Sequence, residues 1–124
     1  MRLNPECIKD ILLYLDTIMV PDEHGNINEI RPEEIAVSSE LSKYPQGIIL
    51  YHIKQMFKSD LLEKGSQYIH QDTPAIADIS PEGYRFLDSA KENTLWKKVL
   101  DTAKEYGSIA LPKLIELVLN QPPA

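Results

Sequence analysis

Between residues 67 and 79 the apolar residues leave helical spacing, and they return to it immediately after Ser80-Pro81. Tyr68-Ile69-His70 reads as one strand and Gln71-Asp72-Thr73-Pro74 as a turn. Ala75 to Ile79 reads as a second strand, with Ile76 and Asp78 on one face and Ala77 and Ile79 on the other. A single hairpin inside an otherwise helical chain restricts the fold to the α+β class with helix dominating.

The helices announce themselves by caps and stripes. Asn4 caps the first and Pro5 fills its first position, and Ile8, Ile11, Leu12, Leu15, Ile18 and Met19 continue the stripe to Val20, where Pro21 stops it. His24-Gly25-Asn26 is a turn signal, and Ile27 and Ile30 fall in a short extended piece. A short helix is predicted over Ser38–Tyr44 with Leu41 inward, ended by Pro45-Gln46-Gly47. The spacing of Ile49, Leu50, Ile53, Met56 and Phe57 predicts a long helix from Gly47 to Leu62, closed by Gly65 as its C-terminal cap residue. After the hairpin, Ser80 caps a helix carrying Tyr84, Leu87 and Ala90. Asn93-Thr94 offers a fresh cap ahead of Trp96, Val99, Leu100 and Ala103, which Gly107 ends. Leu111, Leu114, Ile115, Val118 and Leu119 form a last amphipathic helix, and residues 121–124 read as a frayed tail.

The resulting order is helix, extended piece, short helix, long helix, hairpin, further helices. That is the order of a winged helix, a helix-turn-helix with a β-hairpin wing, here with additional C-terminal helices. At 124 residues and 43% apolar composition the chain fits one domain, over residues 1–120, with enough material for one core. Its apolar runs fall well short of the roughly 18 residues a membrane span needs, and the N-terminus does not resemble a signal peptide. The single cysteine, Cys7, points to a reducing compartment, so the expected setting is cytoplasmic.

Two segments resemble a known family. One is Tyr51-His52-Ile53-Lys54-Gln55-Met56 followed by Asp60-Leu61-Leu62, and the other is Ile79 to Ala90 with Trp96 shortly after. Together they resemble the YjcQ-like domains of unknown function, small bacterial proteins also encoded by phages and prophages. That family shares a tyrosine-histidine-isoleucine step in a helix and a threonine-x-x-glycine-x-x-phenylalanine-leucine step leaving the wing. Here Ser80 stands in the place of the threonine and Gly83 is the glycine. The resemblance covers most of residues 35–119. It implies a winged-helix-like fold and a mobile-element origin, and it brings no catalytic residues.

Chemistry-bearing motifs are few. His24, His52 and His70 lie in different elements with no zinc-ligand spacing, and no glycine-rich phosphate loop or nucleophile with a nearby base is present. No enzyme activity, metal or cofactor is expected. His52 borders the apolar stripe and reads as a packed histidine bonded to backbone rather than a ligand. On the long helix Tyr51, Lys54, Gln55 and Lys58 share one face, the side-chain set that suits phosphates and base edges in a major groove. Lys43 and Lys64 flank it and extend the DNA-binding candidates to six. Two features weigh against DNA. The net charge is −6, and no Lys or Arg lies between Lys64 and Arg85, across the wing.

The charge is unevenly placed. Residues 1–42 carry three basic groups against nine acidic ones, whereas residues 43–124 carry ten of each. The acidic segment Asp22–Glu40 reads as a solvated surface, or as a face for a basic partner or one that mimics DNA. The expected partner is therefore double-stranded DNA. The alternative is a protein, met through the acidic N-terminal third or the C-terminal helices, and those helices also have apolar surface for a homodimer. Whether Lys43, Lys54, Lys58 and Lys64 form one patch clear of Asp60 and Glu63 separates the two.

Overall fold

The computed structural model describes residues 2–120. Its helices are α1 (Pro5–Ile18), α2 (Pro32–Ala36), α3 (Gln46–Lys58), α4 (Pro81–Lys91), α5 (Asn93–Glu105) and α6 (Leu111–Leu119). Strands β1 (Leu62–Lys64) and β2 (Ile76–Ile79) form an antiparallel sheet, so the class is α+β and mostly helical. The tail expected over residues 121–124 lies outside the described residues.

Helix α1 starts as its sequence predicts, with Asn4 Oδ1 accepting from the amides of Glu6 and Cys7. It ends two residues early, at Ile18, because Val20 precedes Pro21 and a residue before proline is driven out of the helical region. In the turn that follows, Asp22 Oδ1 accepts from the amides of His24 and Asn26, and Gly25 takes a positive φ of 80°. The short helix expected over Ser38–Tyr44 is replaced. The α-helical turn is α2, started by Pro32 with Glu33 and Glu34 in its first turn, and only a 3-10 turn, Ser39–Leu41, follows. Leu41 is buried as expected.

The largest correction concerns the hairpin. Helix α3 stops at Lys58, not Leu62, and Gly65 does not cap it. Asp60 does, in the left-handed conformation (φ 59°), with the Asp60 amide donating to the Phe57 carbonyl and the Leu61 amide to the Met56 carbonyl at 2.9 Å. This is a Schellman ending with aspartate in the place glycine usually takes. The chain then enters β1 directly. Leu62 pairs with Ile79, Glu63 with Asp78, and Lys64 with Ile76 across a bulge. Tyr68–His70 is therefore not a strand but the tip of the connecting loop. The extended piece before α2 joins the sheet by one bridge, in which Ile30 and Ile76 exchange amide–carbonyl bonds of 3.0 and 2.8 Å.

Ser80 and Gly83 weld the end of α3 to the start of α4. Ser80 Oγ accepts from the Gly83 amide at 2.9 Å and donates to the Asp60 carbonyl at 2.6 Å, while the Ser80 amide donates to the Leu61 carbonyl. A side chain at position 83 would run into that Leu61 carbonyl, so the close approach requires glycine. Helix α5 is capped by Glu92, whose carboxylate accepts from the Thr94 and Leu95 amides, rather than by Asn93 or Thr94. Trp96 carries α5 onto α1: its Nε1 donates to Glu6 at 2.9 Å, Lys9 lies 5.2 Å over its ring, and Phe86 meets it edge-on. Buried side chains of all six helices and both strands join one apolar core.

Candidate nucleic-acid interface

The exposed face of α3 divides along its length. Lys54 and Lys58, one turn apart, point away from the buried stripe of Ile49, Ile53, Met56 and Phe57. Together with Lys64 of β1 they line an open groove of about 320 Å³ floored by Phe57. Its other wall is the connecting loop, through Gln67, Asp72, Thr73 and Pro74. No ion pair among the described residues involves any of these three lysines.

The remaining candidates are drawn elsewhere. Tyr51 and Gln55 line a separate cleft with Leu3 and the Ser108–Pro112 segment. Lys43 is removed from the patch altogether. Its Nζ is 3.0 Å from Asp10 Oδ2 on α1, and it lies 5.2 Å from the Tyr44 ring, whose hydroxyl donates to the same carboxylate oxygen at 2.6 Å. The hydrogen bond to Asp10 holds the Lys43 pKa above its usual value. The expected quartet of lysines is thus a trio. Asp60 and Glu63 do not line the groove, and Asp72 is its one acid. Glu63 stands opposite Asp78 in the ladder, and Asp78 accepts from the Tyr84 hydroxyl. Burial, then the Asp78 charge, pushes that phenol up.

The loop wall is held by residues that sequence reasoning missed. Arg31, just ahead of α2, donates through one guanidinium nitrogen to the Thr73 carbonyl (2.9 Å) and to Gln71 Oε1 (3.2 Å). Gln71 Oε1 also accepts from the Tyr68 amide, and the Gln67 side chain donates to the Gln71 carbonyl. Glu29 accepts from both the amide and the hydroxyl of Ser66 at 2.6 and 2.7 Å, contacts that hold its carboxyl below its usual pKa. A side chain at Gly65 would collide with that Glu29 carboxylate. The partners of Arg31 and Glu29 across the loop lie 37 to 42 residues away, so no local pattern announces them.

Behind the groove face, His52 is fully buried. Its Nε2 accepts from the Asn4 amide at 2.8 Å, which requires that nitrogen to be bare, and its Nδ1–H donates to the Ile48 carbonyl at 2.7 Å. Both ring nitrogens are thereby used, and burial lowers the pKa. His52 is the packed histidine its position on the stripe predicts. Cys7 is likewise enclosed, its thiol pushed up to about 12 by burial and the nearby Asp10 charge, which leaves it inert as a nucleophile. Among the described residues, no cluster of three or more His, Cys, Asp or Glu is placed to hold a metal ion. No helix there is long and apolar enough to cross a membrane.

No curated protein and no solved structure matches the chain. Residues 2–110, which run from α1 through α5, match the family described as "Hypothetical protein (DUF2513)". The chain belongs to that family, an uncharacterised domain of unknown function.

Proposed function

We propose that the protein is a winged-helix DNA-binding protein of regulatory type, with α3 as the helix presented to the duplex and the β1–β2 hairpin as the wing. A non-enzymatic role, a mobile-element origin and a cytoplasmic setting belong to the same reading. The buried free thiol of Cys7 suits a reducing compartment. The element order supports the architecture. A first helix, a single extended rung at Ile30, a short helical turn, α3 and a two-stranded hairpin follow one another, and the Ile30 rung docks on β2, on the side away from β1.

The observation that carries the reading is the groove in which Lys54, Lys58 and Lys64 converge without a carboxylate bonded to any of them. Three such cations on an otherwise acidic chain fit a polyanion backbone, and affinity made this way falls steeply with salt. Fluorescence anisotropy of a labelled random duplex, taken through a salt series, tests it. Binding at low salt that weakens with salt and is lost in the Lys54→Glu/Lys58→Glu variant is the expected result. Absence of binding at low salt overturns it.

A second reading, docking of a protein through the acidic N-terminal third, is favoured by Val20 and Val37. They are 63% and 64% exposed and border or lie within the acidic segment Asp22–Glu40. Crosslinking from that segment in the host cell, unchanged in Lys54→Glu/Lys58→Glu, distinguishes it. A homodimer through α5 and α6 is checked by sedimentation.

A further inference from the structure

We propose that Ile69 is a wedge that enters a base step of bound duplex DNA and bends it, a role that rests on the DNA-binding reading above. Tyr68 to Gln71 form a tight turn, closed by the Gln71 amide donating to the Tyr68 carbonyl at 3.0 Å. Ile69 occupies a corner of that turn and is 105% exposed. On either side of it Tyr68 and His70 stack, their rings nearly parallel at 7° and 6.2 Å apart, and Tyr68 is itself 68% exposed. The Ile69 side chain takes no part in the apolar core and is open to a partner.

The turn is also braced. Gln71 Oε1 receives both the Tyr68 amide and the Arg31 guanidinium, and the Gln67 side chain closes on the Gln71 carbonyl. The tip is therefore held by polar bonds within the loop and by Arg31 at the start of α2. Residues 65–84 contain no Lys or Arg, so this tip is not built to hold phosphates. It offers an apolar branched point flanked by flat rings, the kind of side chain that unstacks a base step from the minor groove and kinks the helix.

Position selects DNA over a protein as the occupant. The loop that ends in this tip is the same loop whose Gln67, Asp72, Thr73 and Pro74 wall the lysine groove. A duplex neutralised by Lys54, Lys58 and Lys64 would meet the loop whose far end is this tip, and pyrimidine–purine steps, the most easily unstacked, are the natural point of entry.

The test uses a short duplex of repeated TA steps with 2-aminopurine in place of adenine, whose fluorescence rises on unstacking, and a second duplex carrying donor and acceptor dyes at its ends. Wild-type protein is expected to raise the 2-aminopurine signal and shorten the end-to-end distance. Ile69→Ala, which removes nothing from the core, should keep salt-sensitive binding but lose both signals and bind roughly tenfold more weakly, the scale expected for one buried isoleucine. Ile69→Phe should keep both signals. Binding by wild type without either signal, or an Ile69→Ala variant that behaves as wild type, overturns the wedge and leaves the DNA reading standing. No salt-sensitive binding by wild type overturns both, and the tip then belongs to a protein surface.

Discussion

Lys43 and Lys54 are both lysines close to α3, one just ahead of it and one on it, yet they end in opposite electrostatic situations. Lys43 faces α1, where Asp10 takes it at 3.0 Å and shares its carboxylate with the Tyr44 hydroxyl. Lys54 faces the hairpin, where among the described residues neither it nor its neighbours Lys58 and Lys64 forms an ion pair. The difference lies in what the opposing element carries. One lysine fastens the 3-10 turn region to the first helix, and the other three are left as a field directed outward. Counting basic residues along a chain does not separate these fates, because the deciding acid lies 33 residues from Lys43 in sequence but in contact with it in space.

The contrast depends on the end of α3 and the start of α4 meeting where they do, so the strongest way to break it is at the weld between them. Gly83→Ala drives a methyl group into the Leu61 carbonyl, and we expect a loss of about 3 kcal/mol in urea unfolding together with loss of the groove. Next in size, reversing the outward lysines in Lys54→Glu/Lys58→Glu should weaken duplex binding by at least about a hundredfold at low salt, out of the range of the anisotropy assay.

A third test addresses the opposite face of α3. Burial holds the pKa of His52 below its ordinary 6.5. The unfolded chain therefore takes up a proton where the folded one resists it. The stability from this site is complete above pH 6.5 and is lost as the pH falls below it, by at most about 1.4 kcal/mol per pH unit. His52→Gln should remove that part of the slope in pH-dependent unfolding while costing stability at neutral pH through its lost bonds to Asn4 and Ile48. The smallest expected effect sharpens the comparison most. Lys43→Gln should change duplex binding by no more than about twofold in the same anisotropy assay, because that cation is already neutralised by Asp10.

Elements with a polar cap and an apolar stripe were legible in the sequence. Asn4, Ser80 and the runs of α1, α4 and α6 mark helices that the structure contains at or within two residues of the expected places. What was not legible follows from two physical causes. Asp60 ends α3 in a conformation normally announced by glycine, so Leu61 and Leu62 read as helix tail and the true first strand was hidden behind them. Being three residues long, β1 is also too short to display an alternation. The triplet Tyr68-Ile69-His70 imitates a strand but is a tip exposed to solvent.

The candidate site was legible in its lysines, since Lys54 and Lys58 are fixed by helical spacing. It was not legible in Lys43, whose partner is remote, nor in Arg31, Glu29 and Gln71, which act across 37 to 42 residues where they brace the loop. Arg31 in particular reads from sequence as one cation in an acidic segment, and its work is to hold the opposite wall of the groove.

One oxygen, the hydroxyl of Ser80, receives the Gly83 amide and reaches back to the Asp60 carbonyl. Everything from Leu61 to Ile79 is consequently slung between two points that are pinned together at its base. Residues 65–74 of that segment contribute nothing to the apolar core. The segment's far end can be lengthened, shortened or exchanged at the small entropic cost of a longer closed loop, while the helices beneath keep their seating. A lineage built on this plan is free to retool what it touches without reinventing how it folds.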